Sequence, residues 1–70
     1  MYVGDVPQEV GLPLCWSEMT QRLKADHGVL LIGVRDGRTG VDTLNPSNDR
    51  MVVRGDHLLY VARGVTLAPV

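Results

Sequence analysis

The six residues Val29-Leu30-Leu31-Ile32-Gly33-Val34 constrain this chain more than any other feature. The run is apolar throughout, without the alternation of a half-buried strand, so it reads as a central strand with cover above and below. The chain holds one clear helical pattern to provide that cover. One helix shields one face of a sheet. The other face calls for a second chain or domain, because large exposed apolar patches on soluble proteins mark interaction sites. The run therefore predicts a dimer.

Length points the same way. The 70 residues hold one domain, and chains of this size bury only about 60% of their unfolded surface. Such a core rarely supplies more than about 3–5 kcal/mol, so small scaffolds lean on disulfides, metals or a partner chain. Cys15, the single cysteine, has neither a disulfide partner in the chain nor a companion thiol for a metal cluster. Oligomerisation or a larger parent protein is the support that remains.

An apolar share of 44% is too high for a disordered tail. Seven basic and eight acidic residues, spread without runs, give a net charge of −1 and no electrostatic footprint for a nucleic-acid polymer or an anionic membrane. The longest apolar segments, 29–34 and 57–62, fall far short of the roughly 20 residues of a membrane span. No charged and then apolar leader opens the chain, and a lone free cysteine fits a reducing, cytoplasmic setting.

Tyr2 to Val6 is β-prone, and Pro7 marks it as an edge strand followed by a connector. Pro13 suits a first helical turn. Leu12, Trp16, Met19 and Leu23 recur at steps of four, three and four, which predicts a helix over 13–25 with one buried stripe. Glu18 and Arg22 stand in the favourable order for a helix pair, and His27-Gly28 ends the element. Asp36-Gly37-Arg38-Thr39-Gly40 then leads into a return strand over 41–44. Asn45-Pro46-Ser47-Asn48-Asp49 turns into a strand over 51–53, and Arg54-Gly55-Asp56 reverses into a strand over 57–62. The order is β-α-β-β-β-β, an α+β fold with one helix on a small mixed or antiparallel sheet, and residues 65–67 extend the tail.

Several landmarks in that order carry a resemblance. They are Val6-Pro7, Gly11-Leu12, Arg22-Leu23, the run from His27-Gly28 to Val34, Leu44-Asn45-Pro46 followed by Asp49, and Gly55-Asp56 leading into Leu58-Leu59-Tyr60-Val61-Ala62. Together they resemble the C-terminal regulatory subdomain of the RCK (TrkA-C) family, on the cytosolic side of potassium channels and transporters. The resemblance spans most of the chain. It implies a two-layer module that dimerises, follows a Rossmann-like nucleotide-binding subdomain, and passes ligand binding to the gate of a membrane pore. The chain has no G-x-G-x-x-G and no pore helix. Residues 1–70 are therefore expected to be a single TrkA-C-like domain, either a piece of a larger channel or transporter subunit or a stand-alone regulatory unit.

Some family members bind a cyclic dinucleotide in the dimer groove through the Asn-Pro loop, a nearby Arg and a His. On this sequence the resemblance points to Arg38, Leu44, Asn45, Pro46 and His57. Asn reads a base edge in both directions, Arg forks onto phosphate, and Leu and Pro pack on a base. The other reading is that Asn45-Pro46 is only a turn, with Pro46 presetting φ. Asp36, Asp42, Asp49 and Asp56 offer loop oxygens for a divalent cation, but their spacing is not that of an EF-hand and each suits a turn. Arg54-Gly55-Asp56 spells an adhesion tripeptide and equally serves a reversal. Cys15, His27 and His57 form no nucleophile and base pair at local spacing, so no enzyme is expected. Two functions stay open: a cytosolic regulatory domain that couples an effector to potassium transport, or a purely structural dimerisation module.

Overall fold

The computed structural model describes all 70 residues. Its elements are β1 (Tyr2–Asp5), β2 (Leu14–Cys15), α1 (Trp16–His27), β3 (Leu30–Arg35), β4 (Asp42–Leu44), β5 (Met51–Val52) and β6 (His57–Val61). Four strands form one sheet in the order β1-β6-β3-β4, and β2 pairs with β5 in a second, two-stranded sheet. All pairings are antiparallel. The expected α+β fold with one helix is present, enlarged by β2. Two residues make a strand there only because Met51 and Val52 lie opposite them.

The predicted helix keeps its buried stripe, with Trp16, Met19 and Leu23 in the core and Leu12 packed partly against it. Its start is three residues later than expected. Pro13 precedes β2, and Cys15 at the N-cap makes no side-chain cap. The unpaired first-turn donors are met from elsewhere: Trp16 N–H bonds to the Arg50 carbonyl at 2.8 Å and Ser17 N–H to the Asn48 carbonyl at 3.1 Å. At the other end Gly28 takes a left-handed φ of 67°, and its N–H closes on the Lys24 carbonyl. Only glycine adopts that conformation without steric cost.

Register decides which sheet residues share a face. Tyr2, Leu31, Val34, Leu58 and Tyr60 lie on the side toward the helix, and the last four belong to the core. Val3, Asp5, Leu30, Gly33, Arg35, Asp42, Leu44, His57, Leu59 and Val61 lie on the other side. A register shift between Leu31 and Gly33 breaks the alternation. The doubly apolar run is thus explained in part by a bulge, which lets Leu31 and Val34 point to the same side.

The C-terminal tail closes the core at β1. Leu67 is buried, Gly4 pairs with Pro69, and the Tyr60 hydroxyl accepts from Thr66 N–H and Leu67 N–H at 3.0 and 3.2 Å. A side chain at Gly4 would place its Cβ 2.6 Å from Leu67, so only glycine allows the tail to lie this close.

Candidate functional site

Two features of the surface have chemical content, and the first is the outer face of the sheet. Its apolar end holds Leu30, Leu44 and Val61 at 55%, 63% and 45% exposure around a fully buried Leu59. Leu44 and Leu59 both lean over Gly33, within about 3 Å of where a Cβ would stand. Its polar end is a row across all four strands. Arg35 forks onto Asp42, Nε to Oδ1 at 2.6 Å and Nη2 to Oδ2 at 3.0 Å, and His57 Nδ1 lies 3.0 Å from Asp5 Oδ1. The Arg35 guanidinium holds the Asp42 carboxyl below the usual carboxylate range.

The second feature is an open cleft of about 1030 Å³. One wall is the connector between β1 and β2, and the other is formed by the 53–57 turn and the 66–68 tail. The connector makes a single backbone hydrogen bond outside regular structure, Val10 N–H to Pro7 at 3.0 Å. Side chains fasten it at its start and at its middle. Asp5 meets His57, and Glu9 Oε1 lies 2.8 Å from His27 Nε2. The Glu9 carboxyl is held low, first by a backbone N–H and then by the His27 ring. A carboxylate acceptor places the ring proton on Nδ1 of His57 and Nε2 of His27, leaving the opposite ring nitrogens without a protein partner.

Asp56 fixes the far wall. It is 8% exposed, and its Oδ1 and Oδ2 each accept one backbone N–H at 3.0 Å, from Gly37 and Val53. The two turns touch so closely that a Cβ on Gly37 would overlap the Gly55 carbonyl oxygen. The Arg54-Gly55-Asp56 tripeptide therefore keeps its carboxylate inside the fold, bonded to backbone, unlike an adhesion loop that offers it to a partner.

Of the five residues singled out from the sequence, only His57 lines the cleft. Leu44 stands on the outer face, and Arg38 and Asn45 flank β4 at opposite ends, so the single chain does not bring them together. Asn45 has a positive φ of 48°, a conformation Asn tolerates, and its N–H bonds to the Ile32 carbonyl at 2.8 Å. Pro46 is buried, and the residues after it supply the carbonyls that meet the helix start. The Asn-Pro turn is accounted for by these backbone roles.

The four aspartates are similarly engaged. Asp36 Oδ1 accepts from Arg38 N–H and Thr39 N–H at 2.8 and 3.0 Å, which lowers its pKa. Asp42 pairs with Arg35, Asp49 accepts from Ser47, and Asp56 serves two turns. No group of three or more His, Cys, Asp and Glu is arranged to hold a metal ion.

Sequence reasoning missed the cleft because Val6-Pro7 and Gly11-Leu12 in its wall read only as landmarks of a connector, with no polar group among them to suggest a site. Glu9 and His27, 18 positions apart, gave no signal of their pairing. The arrangement defines a class, a small α+β domain with one sheet face open and a cleft at its edge. No family model matches the chain, no curated protein matches it, and no solved structure matches it. No helix is long and apolar enough to cross a membrane.

Proposed function

We propose that this domain is a regulatory assembly module of a potassium channel or transporter, working in the cytosol as a homodimer whose outer sheet faces meet. One observation carries the reading: Leu30, Leu44 and Val61 stand exposed on the face opposite the helix, around Leu59. Burying those three side chains against a second copy stabilises the pair by roughly 25 cal/mol for each Å² removed from water. The resemblance of segments 27–34 and 44–62 to the RCK C-terminal subdomain supplies the potassium-transport context.

Within this reading, assembly is favoured over dinucleotide sensing. Arg38 and Asn45 flank β4 at opposite ends, and the Asn45-Pro46 turn already serves the backbone around it. Light scattering across protein concentration tests the proposal. The expected result is a dimer that Leu44→Asp converts to a folded monomer with unchanged circular dichroism. An unaltered protein that stays monomeric at high concentration overturns it. Titration calorimetry with cyclic dinucleotides separates the two versions. Heat that disappears in Asn45→Ala would favour the sensor, and its absence from the unaltered protein leaves assembly.

A further inference from the structure

We infer that the cleft between the 6–13 connector and the 53–57 turn binds a small organic anion carried on an apolar body, either a carboxylate or a phosphate monoester. The floor supplies the apolar contact, since Val10 and Leu67 are buried in it and Leu12 is half-buried beside them. The charge follows from which lining groups are already engaged. Asp5 is held by His57, Asp56 accepts two backbone N–H groups, and His27 meets Glu9. Arg54 is then the one charged lining side chain with neither an ion pair nor a side-chain hydrogen bond. An unpaired guanidinium beside an apolar floor suits a forked contact to a carboxylate or phosphate.

At about 1030 Å³ the cleft is at the top of the range for small-molecule sites, so space does not limit the occupant. A regulatory meaning for this site rests on the assembly reading above, but binding itself does not. Asp56 fastens the 53–57 turn to Gly37, and Gly37 belongs to the hairpin whose return strand carries Leu44. An occupant of the cleft thus touches the turn that holds one strand of the outer face.

Amide NMR titration of the intact chain tests the site with four probes: hexanoate, hexyl phosphate, hexanol and inorganic phosphate, with light scattering on the same samples. Hexanoate or hexyl phosphate is expected to shift the amides of Val10, Arg54 and Leu67 saturably at millimolar concentration, and whichever binds more tightly identifies the headgroup. Arg54→Ala, in an exposed turn, should weaken that binding about tenfold, while Arg63→Ala leaves it unchanged. The proposal is overturned if neither amphiphile shifts those amides, if hexanol or inorganic phosphate alone binds equally well, or if Arg54→Ala binds as tightly as the unaltered protein. Saturable cleft shifts in a protein that remains monomeric would sustain this site and remove the assembly reading.

Discussion

Asp56→Ala is expected to unfasten two turns at once. The Gly37 and Val53 N–H groups both lose their acceptor, and partly buried donors left unpaired cost about 2 kcal/mol. Asp56→Asn keeps one acceptor oxygen and should lose roughly half of that. Chemical denaturation of the three proteins orders them. Equal midpoints for all three would mean that the 36–40 and 53–57 turns hold without the carboxylate. Tyr60→Phe should behave differently, because its ring stays packed while only the hydroxyl is lost. A cost of about 1 kcal/mol is expected, with faster amide exchange at Thr66 and Leu67 and unchanged exchange in α1. Uniform loss of protection across the chain would contradict a role confined to the tail.

At the scale of elements, three exposed carboxylates shape the acid limb of stability. Glu9 links the connector to the end of α1, Asp36 caps the β3–β4 turn, and Asp42 pairs β4 with β3 through Arg35. Each has a folded pKa below its ordinary value. The unfolded chain then binds more protons than the folded one on the acid side. The stabilisation is fully present above the unfolded pKa values, near pH 4, and is lost as pH falls through the lower folded values. Thermal melts from neutral pH downward should show a flat region and then a decline below about pH 4. A triple variant carrying Glu9→Gln, Asp36→Asn and Asp42→Asn should show a shallower decline. An identical decline in the triple variant would place the acid sensitivity elsewhere.

The same scale shows what was legible in the sequence. The stripe of Trp16, Met19 and Leu23 and the glycine that ends the helix were readable because helical period and left-handed φ are local properties. The helix start was not. Its first-turn donors are satisfied by Asn48 and Arg50, more than thirty residues along the chain, so no capping residue marks the boundary. β2 escaped for a related reason, since Leu14 and Cys15 are strand residues only opposite Val52 and Met51. The bulge after Leu31 likewise depends on the register with β6. His57 was singled out for the Asn-Pro neighbourhood, yet register sets it beside Arg35 and Asp5, in the row at the edge of the cleft.

For the whole molecule, the open face is the feature with the largest expected effect. A core of 12 buried apolar residues is small, and a domain of this size has only a few kcal/mol in reserve. If the outer faces pair, the melting temperature should rise with protein concentration, because association stabilises the folded state by mass action. Val61→Lys should abolish that dependence while leaving the dilute-limit melting temperature nearly unchanged, since Val61 is half exposed in the single chain. A concentration-independent melting temperature in the unaltered protein would count against pairing.

The contact between Gly4 and Pro69 has a consequence for connectivity. Because the two extremities of the chain run side by side along one edge, a short flexible linker could join them without bending the sheet. New termini could then be opened in the hairpin at Arg38-Thr39, where both residues are exposed. The permuted chain would keep the same strand neighbours in a different order of synthesis. Its refolding would show whether this sheet depends on β1 arriving first or only on β1 lying beside β6.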